Sequence, residues 1–203
     1  KENLDIIDGN IVRTTDGELL MSLGELATEK LYSLTDNGHL TAESSYQIKN
    51  NAYSFGCTFV EVEVDIPGCR AQVTDILNVH DCGRLINPAL AEAQVHGGMS
   101  MAIGYALSEK LLYDERTGKP LNNNLLDYKL STFMDHPDLH AAFIENYEPT
   151  SAYGTKARGE PPACSPAPAI RNAILQATGV ALDEIPMSPH LLFKEFQKAG
   201  LFE

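Results

Sequence analysis

The chain has 203 residues with 15 Lys and Arg against 28 Asp and Glu, a net charge of -13 that opposes binding to nucleic acid or to an anionic membrane surface. With 43% apolar residues it can bury a sizeable core, and one folded unit is expected. No apolar run reaches the length of a membrane-spanning helix, and Lys1 opens a polar stretch rather than a signal peptide or an initiator Met, so the chain reads as a fragment of a cytoplasmic protein.

In chain order, "LDIIDGNIV" sets Asp8-Gly9 between two apolar runs, a strong hairpin signal. "SLGELATEKLYSL" then offers Ser22 and Glu25 as a capping box, with Leu23, Leu26, Leu31 and Leu34 at helical spacing. "FVEVEVDI", from Phe59 to Ile66, alternates apolar and acidic residues; Pro67-Gly68 suits a turn, and "AQVTDILNV" continues as a second strand. After the Gly83 to Pro88 loop, the apolar pattern predicts a helix from about Ala89 to Leu107. Its Gly97, Gly98 and Gly104 each cost roughly 1 kcal/mol relative to Ala, so another backbone or a bound group is expected to come close. "DERTGKPLNNN" is a polar turn, "HAAFIENYE" a strand, and "PAIRNAILQATG" a helix with Gly179 as its C-terminal cap.

Strands and helices mixed without a regular β-α rhythm favour an α+β fold over a doubly wound sheet, and no glycine-rich phosphate-binding run is present. Cys57, Cys69, Cys82 and Cys164 form no C-x-x-C pair, which argues against zinc or an iron-sulfur cluster ligated inside this chain. They read as reduced thiols, each a small buried hydrophobe more often than a redox group.

Three features carry candidate chemistry. "GTKARGEPPACSPAPAIRNAI" sets Glu160 between Gly159 and two prolines; Pro161 is expected to push Glu160 into extended geometry, while Gly159 permits a close backbone approach. Lys156, Arg158 and the positive end of the following helix would favour an ionised carboxylate or an anionic ligand there, which suits a general base; a glutamate in such a loop is also commonly structural. Gln94, on the glycine-rich helix, can donate and accept hydrogen bonds to a ligand or simply pack. His80-Asp81 and His96 show no ligand spacing and read as satisfied structural groups.

Taken together, "NAYSFGCTFVEVEVD", "NVHDCGRLINPALAEAQVHGGMSMAIGYALSE", "NNNLLDYKLSTFMD" and "SAYGTKARGEPPACSPAPAIRNAI" occur in an order that resembles the C-terminal half of the molybdenum-cofactor subunit of the xanthine dehydrogenase and aldehyde oxidase family, with bacterial xanthine dehydrogenases the nearest. The resemblance covers nearly all of residues 1–203 and implies a C-terminal molybdenum-cofactor-binding domain. It implies Glu160 as catalytic base, with Gln94, Lys156 and Gly159 beside a molybdenum-pterin cofactor shared with the N-terminal half of the subunit. The implied reaction hydroxylates a purine such as xanthine or hypoxanthine with water as oxygen source, and electrons leave through iron-sulfur clusters and FAD on other domains or subunits. Another N-heterocycle, an aldehyde, or a cofactor-free assembly role are the alternatives. The sequence departs from many relatives at His96 and Met101, and in Ala163, Cys164 and Ser165 after "GEPP".

Overall fold

The computed structural model describes residues 3–33, 39, 41–48 and 50–202. Where one unit is expected from length, the chain's contacts divide into two, Lys1–Gln47 and Ile48–Glu203, and each is taken by itself.

In the first unit, strands β1 (Leu4–Ile7), β2 (Asn10–Arg13) and β3 (Leu19–Ser22) form an antiparallel sheet in that order. Asp8 and Gly9 both take positive φ, 48° and 76°, the two-residue turn that the Asp-Gly pair predicts. Helix α1 (Leu23–Tyr32) starts at the capping box: Ser22 Oγ accepts from Glu25 N at 3.1 Å, and the Glu25 carboxylate accepts from Ser22 N at 2.8 Å. Those two bonds satisfy backbone N–H groups that a helix start leaves without partners. No residue of α1 is buried, so local signals alone define it; Leu34, which continues its apolar spacing, lies outside the described residues.

The second unit is built on β4 (Phe55–Asp65), β5 (Arg70–Asp81) and β6 (Leu139–Ile144), in that order across the sheet. β4 and β5 form an antiparallel hairpin whose turn is closed by Gly68 N donating to Asp65 Oδ1 at 3.0 Å. A register shift between Glu61 and Val62 leaves Thr74 as the extra residue of β5. The inward positions therefore run Val73, Ile76, Asn78 and His80 instead of keeping one parity, as a bulge requires. β6 pairs with β5 in parallel, which requires a crossover, and helix α2 (Pro88–Leu107) lies within it. Asn87 caps α2 by accepting from Leu90 N at 3.1 Å, and Pro88 occupies the first turn, where no N–H is needed.

Two further helices close the core: α4 (Pro166–Thr178), which ends at Gly179 with φ 75°, and α5 (Pro189–Lys198), capped by Ser188. A short turn of helix, α3 (Pro161–Cys164), precedes α4. Val73 and Ile76 from β5, Val95, Met99 and Ile103 from α2, Ile170 and Ile174 from α4, and Leu192 and Phe196 from α5 form one buried cluster. Each large member contributes about 1.5–3 kcal/mol by leaving water. Mixed sheets with packed helices match the α+β expectation.

Candidate active site

The site forms where α2 meets the segment 154–165. Gly98 makes that meeting close: a Cβ added there would stand 2.6 Å from Pro162 Cβ and 2.9 Å from its carbonyl carbon. Gly104 is equally crowded, by Glu109 and Ser131, whereas Gly97 faces open space. The close approach expected from the helix glycines is thus made by this chain's own loop at Gly98 and by its own side chains at Gly104.

Side chains from the surrounding elements hold the loop by its backbone. Gln94 Nε2 donates to the carbonyl of Gly159 at 2.8 Å, and Asn78 Nδ2 donates to that of Pro162 at 3.0 Å. Tyr105 Oη donates to the Ala163 carbonyl, Ser54 Oγ to that of Ala157, and the hydroxyls of Thr58 and Ser165 share a hydrogen bond of 2.6 Å. Glu160 sits among these attachments, its carboxylate exposed and without a hydrogen bond among the described residues.

Glu160 is not extended, contrary to the expectation from Pro161. It takes φ -92°, ψ -16°, because its carbonyl accepts from Ala163 N at 2.8 Å and the two prolines open α3. Proline is at ease in the first helical turn, and here that preference outweighs the extended bias it imposes on the preceding residue.

Lys156 is committed to Asp81 and not to Glu160. Its ammonium bonds Asp81 Oδ2 at 2.6 Å with only 5% of the lysine side chain exposed, and it also lies over the Phe55 ring at 5.8 Å. Burial works to raise the Asp81 carboxyl, but Lys156 and the Gly83 N–H outweigh it and hold the carboxyl below its ordinary range. Arg158 stacks its guanidinium on Phe143 at 4.0 Å. Burial draws that guanidinium below its ordinary range, and its Nε and Nη2 find no hydrogen-bond partner.

His80 lies in the cross-strand row Gly56–His80–Phe143, 2% exposed; a Cβ at Gly56 would strike its ring. Burial first, then the Arg158 charge, lowers its pKa and keeps it neutral. The expectation of satisfied histidines needs correction: His80 Nε2 and His96 Nε2 are buried without a hydrogen-bond partner, with Glu92 3.8 Å from the latter. Among the described residues no group of His, Cys, Asp and Glu could hold a metal ion. Of the cysteines, Cys69 and Cys82 are buried as expected, while Cys57 and Cys164 are exposed and all four are free.

Beside the loop is a cavity of about 290 Å³, lined among others by Arg84, Gln94, Lys156 and Arg158. The sequence motifs singled out Gln94 and Glu160, whose roles belong to the proposal below, and gave no sign of Asn78, Tyr105, Ser54 and Thr58, which hold the loop. One signal was available: Asn78 and His80 are polar residues at core-facing positions of β5, in phase with Ile76.

The mixed sheet and the glycine-bearing helix fall in a known class: the chain belongs to the molybdopterin cofactor-binding domain family, whose sequence model matches residues 1–137. Gln94 lies inside that match, and Lys156, Gly159 and Glu160 lie beyond it. The chain is 50% identical over 200 residues to the xanthine dehydrogenase molybdenum-binding subunit of Escherichia coli O157:H7, covering 98% of this chain and 27% of that protein. It is 33% identical over 164 residues to an aldehyde oxidoreductase molybdenum-binding subunit of Escherichia coli (strain K12), covering 78% and 22%. Among solved structures, quinoline 2-oxidoreductase from Pseudomonas putida 86 superposes with a TM-score of 0.84 at 28% identity, covering 97% of this chain and 26% of that one. The chain spans about a quarter of the length of these relatives.

Proposed function

We propose that residues 1–203 are the C-terminal cofactor-binding domain of a molybdenum hydroxylase that oxidises a purine such as xanthine or hypoxanthine, with Glu160 as general base. The observation that carries this reading is the Gln94 to Gly159 hydrogen bond, which ties the family's cofactor helix to the residue preceding the glutamate. The 50% identity to a xanthine dehydrogenase subunit favours a purine over the aldehyde suggested by the 33% relative.

The residues present fit a molybdenum-pterin group. Gly97 and Gly159 leave their Cβ positions open, so a planar ligand can lie against backbone there, and the adjoining cavity offers an amide and basic side chains. When bound, that group supplies the two-electron oxidation, with water as the source of oxygen. Gln94, joined to Gly159 by its amide nitrogen, would hold the group through its remaining amide oxygen and the open face of Gly159. Lys156 shapes the cavity through its stem, since its charge is committed to Asp81. The Glu160 carboxylate, clamped by backbone but free at its oxygens, would accept the proton that water gives up as its oxygen is transferred to the substrate.

Iron-sulfur clusters and FAD on other domains or subunits would serve as the electron carriers. Leu90 and Met101 on α2, and Leu125, Leu126, Phe133 and Met134 beyond it, are exposed apolar side chains that the N-terminal half of the subunit would cover. No helix among the described residues is long and apolar enough to cross a membrane, in keeping with a cytoplasmic enzyme. The test is turnover by the intact enzyme of xanthine, hypoxanthine, quinoline and benzaldehyde in ¹⁸O-water. Labelled urate from the purines supports the reading; labelled carboxylic acid from the aldehyde alone replaces its substrate, and unlabelled product overturns the water source.

A further inference from the structure

Arg158 is an interior cation without a counter-charge. Its Nε and Nη2 are buried without a hydrogen-bond partner, and no carboxylate among the described residues pairs with it. The Phe143 face offsets part of the cost of burying a guanidinium, but an aromatic ring accepts no in-plane hydrogen bonds. The groups packed around it cannot help. His80 is held neutral, and burial pushes the Cys82 thiol up and keeps it protonated, so neither supplies a counter-charge.

The surroundings run against the composition of the whole chain. The net charge is -13, yet Arg84, Lys156 and Arg158 line one cavity of about 290 Å³, where only Lys156 has a carboxylate partner. Gln94 adds an amide on the same wall. A buried polar group left without a partner is costly, and the Nε–Nη2 fork, which has no accessible surface as it stands, meets an oxyanion in geometry as well as charge once the side chain turns it toward the cavity that Arg158 lines.

We propose that this cavity is an oxyanion-binding site anchored by Arg158, with Arg84 at its mouth. It takes a phosphate-like or carboxylate-like group, supplied either by the phosphate of the pterin cofactor or by an acidic substrate. The site itself stands on the geometry; only the source of the anion rests on the hydroxylase reading above.

The first measurement uses the intact molybdenum subunit produced without cofactor, melted in inorganic phosphate against chloride at constant ionic strength. The parent should gain about 5 °C in a saturable way. Arg158→Met keeps an apolar stem over Phe143 and removes the charge; it should melt no lower than the parent in chloride and lose the phosphate response. Arg158→Lys keeps the charge without the fork and should show a weakened response, which decides the matter should the Met variant fail to fold. In the loaded enzyme, a several-fold fall in cofactor content in Arg158→Met assigns the anion to the cofactor. Full content with binding of an acidic heterocycle weakened about tenfold or more, and a neutral one unchanged, assigns it to the substrate. A parent that shows no saturable phosphate response, or an Arg158→Lys variant with the parent's response, overturns the site. None of these readings depends on Glu160, so a Glu160→Gln enzyme that works at the parent rate would sink the base assignment and leave the anion site standing.

Discussion

Lys156 and Glu160 share one loop and are held in opposite ways. The lysine side chain is fixed: it is buried, ion-paired with Asp81 and laid over Phe55, so its charge serves the fold. The glutamate is fixed only by the backbone around it, through Gln94 at Gly159 and Asn78 at Pro162, while its carboxylate is exposed and unbonded. The structural charge is tied at its tip; the charge proposed for proton transfer is tied at its root. General-base catalysis needs both an accurately placed backbone and an oxygen with nothing better to bond.

The sharpest way to break this contrast is at Glu160. In the intact enzyme, Glu160→Gln should slow single-turnover reduction of the cofactor by substrate at least ~10²-fold, with melting temperature and molybdenum content unchanged. A near-parent rate would make Glu160 another structural residue.

Lys156→Met should do the reverse, costing about 3–5 kcal/mol of stability by stranding buried Asp81, with activity per folded molecule retained. Replacing both residues with apolar ones should recover much of that loss. The pair also sets an acid limb. The Asp81 carboxyl is depressed in the folded chain and releases that depression on unfolding. Its stabilisation is therefore full above the ordinary carboxylate range and disappears as pH falls through the folded value. Melting curves against pH should lose part of this limb in Asp81→Asn.

Gln94→Ala gives the smallest effect on the fold, about 1 kcal/mol for one lost hydrogen bond, because the Gly159 carbonyl can turn to water. Its larger signature should be lowered molybdenum retention. Normal metal content beside a lowered melting temperature would reduce Gln94 to a clamp and nothing more.

What the sequence revealed follows the range of the forces involved. The Asp8-Gly9 turn, the Ser22–Glu25 box, the Gly179 cap and the hairpin from Phe55 to Asp81 were all legible, since each is decided by neighbours along the chain. The parallel pairing of β6 with β5 was not, nor were the hydrogen bonds that Asn78, Tyr105 and Ser54 make to the Glu160 loop, since their partners are 84, 58 and 103 residues away. The Glu160 backbone itself was misread where two local rules conflicted, the extended preference before proline and the ease of proline in a first turn; the Ala163 bond decided between them. Glu160 and Gln94 were found through resemblance to a family, which the match to residues 1–137 supports for the helix that carries Gln94.

Gly98 has a bearing on how this scaffold could be re-engineered. With no side chain there, the helix and the Pro162 backbone touch directly, so the reach of Glu160 toward any reactant is set by a spacing thinner than one methyl group. Libraries that vary pocket walls to admit bulkier substrates leave this spacing alone, whereas a single added carbon at Gly98 would lift the whole loop and shift the proposed base for every substrate at once. The position is a calibration point common to all such variants, best left untouched while specificity is redesigned around it.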